Sequence, residues 1–203
     1  MQQPLAECVA GVVLAAGLST RMGSPKALLD WDGRPLVAFQ LEQLHRAGCE
    51  PLLLVSGHAA ERVEAAARGC GATIVRNPHY AEGRATSVRA AARSLPDGIG
   101  AVVLLNVDQP RRAATIAALI AAHRAGRAPI TVPVFAGRRG HPAIFAGALL
   151  GELRAVDEAT EGLRAVSRRH ANARLEVPYD SEEVLLDCND PAAYERALAF
   201  WAR

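Results

Sequence analysis

The chain is almost devoid of lysine: of its 23 basic residues, only Lys26 is not an arginine. Against an arginine- and alanine-rich composition that single ammonium stands out, because ammonium and guanidinium are not interchangeable at a tight phosphate site. Chance survival is the alternative. Aromatic residues make up only 4% of the chain, which argues against stacking platforms for single-stranded nucleic acid. Neither sign of charge dominates. The formal net charge is +2, with both signs mixed along the chain and no basic block of the kind a nucleic-acid surface shows. No apolar stretch reaches the roughly 18 residues needed to span a bilayer. The start, Met1-Gln2-Gln3-Pro4, lacks the basic and apolar regions of a signal peptide. The four cysteines, Cys8, Cys49, Cys70 and Cys188, form no C-x-x-C pair and no zinc spacing, so reduced and mostly buried thiols are expected. These absences lead to the expectation of a cytoplasmic globular protein that binds neither nucleic acid nor membrane.

What is present is a regular alternation. Apolar runs ending in Gly, Asn or Asp alternate with Ala/Leu/Arg segments of helical period. Strands are expected at Cys8–Leu14, Pro51–Ser56, Ala72–Val75, Ala101–Val107, Ile130–Phe135, Arg174–Val177 and Val184–Leu186. Helices are expected at Pro35–Ala47, Ala59–Arg68, Gly83–Leu95, Ala113–Ala125, Gly147–Val156, Gly162–His170 and Pro191–Trp201. The run from Ala101 to Val107 is apolar nearly throughout, as a strand buried on both faces should be. Strand–helix alternation without a polar linker predicts a single three-layer, Rossmann-like α/β domain with a mostly parallel central sheet. The less regular stretch from Gly137 onward reads as a substrate-side elaboration.

The strongest chemical signal follows the first strand: Leu14-Ala15-Ala16-Gly17-Leu18-Ser19-Thr20-Arg21-Met22-Gly23-Ser24-Pro25-Lys26. Small residues after a strand let the backbone approach a ligand, their N–H groups can line an anion site, and Arg21 and Lys26 add positive charge. The spacing is neither a Walker A loop nor a G-x-G-x-x-G fingerprint. The alternative is a solvated connector. L-A-A-G-x-S-x-R-M-G-x-x-K resembles the signature loop of the MobA-like nucleotidyltransferases, in the Ala-Ala-Gly form of the molybdenum cofactor cytidylyltransferases. The resemblance implies the nucleotide-diphospho-sugar transferase type of fold, with this loop around a nucleoside triphosphate. Leu14, Ala15, Ala16, Gly17, Ser19 and Gly23 would then contact the nucleotide, and Arg21 and Lys26 would neutralise phosphate charge.

Three further segments extend the likeness. Asn77-Pro78 reads as a turn, and Gly83 to Ser87 as a helix entry. The stretch also resembles the family's N-P-x-x-x-x-G-x-x-x-S segment, implying Asn77, Gly83 and Ser87 near the nucleotide. Asp108 ends the most apolar strand, where ligands bind in open α/β sheets, although a turn cap is the ordinary reading of such an Asp. Asp108-Gln109-Pro110 matches the family's D-x-P motif, which implies a metal ligand; Asn106 departs from the glycine often found there. Asp187-Cys188-Asn189-Asp190-Pro191 resembles a D-x-[DN]-x-P segment. The likeness implies Asn189 as the metal partner of Asp108, while Asp190 reads as the cap of the helix that starts at Pro191. One carboxylate, one amide oxygen and substrate phosphates are adequate for Mg²⁺.

Gly137-Arg138-Arg139-Gly140-His141-Pro142 is a tight cationic loop suited to an anion, or else a basic surface turn. It resembles the R-G-H-P stretch of cytidylyltransferase-like proteins, which implies Arg139, Gly140, His141 and Pro142 on the acceptor side. Glu161-Gly162-Leu163-Arg164 resembles another acceptor-side segment. His45, His58, His79, His123 and His170 show no ligand spacing and are expected at the surface or as caps.

Taken together, the resemblance implies Mg²⁺-dependent transfer of CMP from CTP to the terminal phosphate of molybdopterin, with release of pyrophosphate. Arg21, Lys26 and Asp108 would be the catalytic residues. Residues up to about 136 would serve the nucleotide and about 137–203 the acceptor, and a molybdenum hydroxylase or its chaperone would receive the product. Two alternatives stay open: a transferase acting on a sugar or alcohol phosphate, and a non-catalytic module that delivers the cofactor. Mg²⁺-dependent pyrophosphate release separates the module from either enzyme.

Overall fold

The computed structural model describes residues 4–202. In chain order its elements are β1 (Val9–Ala15), β2 (Asp30–Trp31), β3 (Arg34–Pro35), α1 (Leu36–Arg46), β4 (Leu52–Ser56), α2 (Ala60–Ala66), β5 (Thr73–Arg76), α3 (Arg84–Ser94), β6 (Ala101–Asn106), α4 (Ala113–Gly126), β7 (Ile130–Phe135), β8 (Arg138–Arg139), β9 (Ala143–Ala146), α5 (Leu150–Arg154), α6 (Leu163–Arg169), β10 (Leu175–Pro178) and α7 (Pro191–Trp201), with short 3₁₀ turns between them.

All seven residues of β1 are buried, and they alternate between two cores. Ala10, Val12 and Leu14 pack with α3, α5 and α6 on one face of the sheet. Val9, Val13 and Ala15 pack with α1, α2 and α4 on the other. A strand with side-chain period two can be apolar throughout only when both faces are covered, which is the condition of a central strand in a three-layer fold. Gly11 permits the close seating of α1: a Cβ there would lie 2.9 Å from the Cβ of Cys49 and 3.2 Å from that of Leu44.

The strand order is β10-β7-β9-β6-β1-β4-β5, with β8 paired to β7. β1 is parallel to both β4 and β6, β4 to β5, and β10 to β7, whereas β9 runs antiparallel between β6 and β7. The chain winds outward from β1 through β4 to β5, then crosses back to place β6 on the other side of β1. The loops leaving β1 and β6 therefore diverge at a topological switch point, where open α/β sheets form their ligand crevice. A third cluster, Trp31, Leu36, Phe39, Cys188 and Ala197, seats α7 against the start of α1. Among the described residues, no helix is long and apolar enough to cross a membrane.

Most expected elements are present within a residue or two, and three readings require correction. The expected strand at Val184–Leu186 is instead a 3₁₀ turn over Glu182–Leu185, capped by Ser181, whose hydroxyl accepts from the Glu183 N–H at 3.2 Å. β9 lies within the stretch read as irregular. His123 is buried rather than at the surface, its Nδ1 2.8 Å from the Thr131 hydroxyl. Of the cysteines, Cys49 and Cys188 are buried, while Cys8 and Cys70 are partly exposed.

Candidate active site

A cavity of about 590 Å³ opens at the C-terminal ends of β1 and β6. It is walled by the loop from Leu14 to Ala27, by Gly83, Arg84 and Ser87 at the start of α3, by Asn106–Gln109 after β6, and by His141 and Asn189. Leu14, Ala15, Ala16, Gly17, Ser19, Arg21 and Lys26 all line it, so the loop singled out in the sequence wraps the cavity. Ser19, at φ 53°, turns that loop back on itself: its carbonyl accepts from the Met22 N–H at 3.0 Å, and its hydroxyl from the Lys26 N–H at 3.1 Å. A Cβ on Gly17 would meet no protein atom within 4 Å, so the chain's own packing does not require a glycine there. Gly23 lies outside the cavity wall, at φ 68° in the turn that leads to Lys26.

Lys26 reaches across the cavity floor. Its Nζ donates to Asp108 Oδ2 at 2.7 Å and to Asn189 Oδ1 at 2.7 Å. Residues 82 and 163 positions apart in sequence from Lys26 thus converge on one ammonium. The convergence has a backbone cause: the Cys188 N–H donates to the Asp108 carbonyl at 2.8 Å, pinning the segment before α7 onto the end of β6. Asp190 then caps α7, accepting from the Ala193 N–H at 2.8 Å, with Pro191 in the first turn.

The donor set of Asp108 and Asn189 fits a hard divalent cation. One carboxylate and one amide oxygen point to a position that the structure already shows stabilising positive charge. Among the described residues no group of three or more His, Cys, Asp or Glu could hold a metal on its own. An ion here would therefore complete its shell with substrate phosphates and water, as Mg²⁺ commonly does.

Asn77 is buried behind the cavity wall and does not line it. Its Nδ2 donates to the hydroxyls of Thr86 at 2.8 Å and Ser87 at 3.0 Å, and its Oδ1 accepts from the His79 N–H at 3.0 Å. Asn77 thus sets the entry of α3 and the position of Ser87. Gly83, at φ 117°, leaves space for Glu158, whose carboxylate accepts from the Ala85 N–H at 2.8 Å.

The R-G-H-P loop divides between roles. His141 faces the cavity, while Gly140 and Pro142 are buried behind it and Arg139 projects away into a neighbouring cavity. A Cβ on Gly140 would lie 2.3 Å from the Val184 carbonyl oxygen, so this glycine permits a backbone crossing. Burial, then the positive charges of Arg111 and Arg84, hold His141 down at about 4, so its imidazole is neutral at physiological pH.

Two organising residues escaped the sequence reading. Arg111 is fully buried and donates to four carbonyls: His141 at 2.8 Å, Pro110 at 2.5 Å, Leu186 at 3.1 Å and Val184 at 2.7 Å. Burial lowers it to about 10, which leaves it charged at neutral pH. One guanidinium therefore joins the segments that carry Asp108, His141 and Asn189. Gln40 of α1, also fully buried, donates to the Gln109 carbonyl at 2.5 Å and accepts from the Arg111 N–H at 3.3 Å. A single Arg among 22, or a Gln on a helix, carries no sequence signal of such a role; the one available hint was the position of Arg111 directly after Asp108-Gln109-Pro110.

Comparison with known proteins identifies the family. The profile of the MobA-like NTP transferase domain family matches residues 11–174. The bifunctional protein GlmU of Anaeromyxobacter sp. (strain K) is 37% identical over 180 residues, which cover 82% of this chain and 36% of GlmU. The chain thus spans little more than a third of the length of that relative. Nicotine blue oxidoreductase of Paenarthrobacter nicotinovorans is 32% identical over 197 residues, covering 93% of this chain and 91% of the relative. The crystal structure of Rv0371c from Mycobacterium tuberculosis H37Rv superposes with a TM-score of 0.82 at 31% identity, covering 96% of this chain and 99% of the other. A manganese complex of Rv0371c superposes at 0.74, with 31% identity and coverage of 95% and 98%. By the extent of the profile match, and with the switch-point cavity and the fold it shares with these structures, the chain belongs to the MobA-like NTP transferase domain family.

Proposed function

We propose that the chain transfers CMP from CTP to the terminal phosphate of molybdopterin, releasing pyrophosphate, with Mg²⁺ bound by Asp108 and Asn189. The observation that carries the reading is the convergence of Lys26, Asp108 and Asn189 at 2.7 Å beneath the Leu14–Ala27 loop. The choice of CTP and molybdopterin rests on the Ala-Ala-Gly form of that loop and on the R-G-H-P stretch.

In this reading Ala15, Ala16 and Gly17 lie against the nucleotide, and the open space beside Gly17 is taken up by it. Ser87, positioned by Asn77, faces the nucleotide from α3. An oxygen of the acceptor phosphate forms a bond to the α-phosphorus as the bond from that phosphorus to the β-phosphate oxygen breaks, and pyrophosphate leaves with the electron pair. The attacking phosphate is already anionic at neutral pH, so no residue need act as general base. Bound Mg²⁺ would supply charge stabilisation on the phosphate oxygens. Arg21 and Lys26 meet the charge that develops on the leaving pyrophosphate. The neutral imidazole of His141 orients the acceptor phosphate, with Arg139, Gly140 and Pro142 shaping that side. Residues up to about 136 serve the nucleotide and about 137–203 the acceptor; the product passes to a molybdenum hydroxylase or its chaperone, in the cytoplasm.

Pyrophosphate release with CTP, GTP, ATP and UTP, each with Mg²⁺ and molybdopterin, tests the proposal. Turnover confined to CTP is expected. Turnover with a sugar phosphate and silence with molybdopterin would move the acceptor assignment to the small-phosphate alternative. The near full-length similarity to nicotine blue oxidoreductase supports a second reading, a redox function on the same fold. Electron transfer between nicotine blue and an added redox co-substrate, catalysed in the absence of any nucleoside triphosphate, would favour it.

A further inference from the structure

A second cavity, of about 860 Å³, adjoins the first. Its walls carry five arginines, Arg84, Arg139, Arg164, Arg168 and Arg174, against two glutamates, Glu158 and Glu161. Arg84 lines both cavities and is the seam between them. The positive charge is only partly cancelled internally: Arg139, Arg168 and Arg174 each have a carboxylate partner. Glu158 is turned to the Ala85 N–H, and Glu161 pairs with Arg168. Among the described residues, Arg84 and Arg164 have no carboxylate within ion-pair distance. The Arg174 side chain is only 7% exposed; among the described residues its one carboxylate partner, Glu176 at 3.1 Å, is shared with Arg139, and it also donates to the Ser167 carbonyl at 3.4 Å.

Five guanidinium groups around one concavity, two of them without a carboxylate partner among the described residues, leave a local excess of positive charge that an anion would complete with charge-assisted hydrogen bonds. We propose that this cavity is an anion site that holds a second anionic group of the acceptor, apart from the phosphate that attacks. The placement follows from Arg84. A molecule whose phosphate lies beside Asp108 passes that side chain to reach Arg164, Arg168 and Arg174. The site selects acceptors with two separated anionic groups over simple monophosphates. The word acceptor rests on the transfer reaction proposed above; the anion site does not.

The test is a calorimetric titration of inorganic phosphate into protein saturated with CTP and Mg²⁺, comparing wild type with Arg164→Ala/Arg168→Ala and with Arg164→Lys/Arg168→Lys. Both arginines are solvent-exposed, and circular dichroism verifies that the variants fold. The expected result is phosphate binding weakened about tenfold in the alanine pair, largely restored in the lysine pair, and CTP affinity unchanged. Equal phosphate binding in wild type and the alanine pair would overturn the proposal, because a phosphate seated beside Asp108 alone does not need Arg164 or Arg168. In a separate arm, the KM for molybdopterin should rise about tenfold in the alanine pair. Arginine-dependent phosphate binding without turnover of any nucleotide would sink the transfer reading and leave the anion site standing.

Discussion

Lys26 is the residue whose removal should separate folding from chemistry most sharply. It is partly exposed and fills no core, yet it touches both Asp108 and Asn189. Lys26→Ala and Asp108→Ala should each lower turnover by about 10²–10³-fold, the scale of losing one charge-stabilising group in a phosphate site, while thermal melting shows a folded protein. Lys26→Arg should restore little, since a planar guanidinium cannot place a compact charge between two oxygens. Near-wild-type turnover in folded Asp108→Ala would remove the metal assignment. Titration supplies a second test. His141 is held at about 4 and His123 below the ordinary value of 6.5, both chiefly by burial. Folding thus favours the neutral forms. Their contribution to stability is complete above pH 6.5 and drains away as pH falls towards 4. Urea midpoints should decline across that window, and His123→Gln should flatten the decline. At this scale Lys26 and Asp108 could be found in the sequence, because each sits in a motif beside a strand end. Arg111 could not. Its role arises only when three distant segments fold around it.

The alternation of apolar runs with helical periods located the elements well, because period two and period 3.6 impose different burial patterns on the same chain. The failures share a cause. β9 is four residues long, Ala143–Ala146, too short to establish a period, and it becomes a strand by pairing with β6 and β7. Val184 and Leu185 look like strand residues, but Val184 offers its carbonyl to the His141 N–H and to Arg111, so the segment turns there. Both departures were settled by tertiary hydrogen bonds, to which local propensity is blind. Arg111 is therefore the place to perturb the connection between elements. Arg111→Met would leave several buried carbonyls short of a donor and should cost about 3 kcal/mol or more in urea unfolding, beyond what its apolar contacts recover. Stability within about 0.5 kcal/mol of wild type would show that the joined segments hold without it.

For the molecule as a whole, the open end of the sheet is built from segments far apart in sequence, so a ligand that joins them should stabilise the entire domain. If the proposed reading holds, CTP with Mg²⁺ at about 100 times its Kd should add about 2.7 kcal/mol by mass action. In a chain of this size the melting temperature should then rise by about 5–10 °C. Addition of CTP without divalent metal should give a smaller shift if Asp108 and Asn189 hold an ion.

The convergence on Lys26 also bears on how the protein comes into being. A chain made from its N-terminus has the loop, the switch point and Asp108 in hand well before Asn189 is added, and Asn189 is held by a backbone bond from Cys188 to the Asp108 carbonyl. The helix that follows, α7, packs through Trp201 against Trp31 and Phe39, with the Arg112 guanidinium 4.0 Å above the Trp201 ring. Under the proposed reading, a chain whose last segment has not docked already holds Arg21, Lys26 and Asp108 but lacks the second protein oxygen for the metal. The metal site would then be completed through the docking of a helix that does not itself line the cavity.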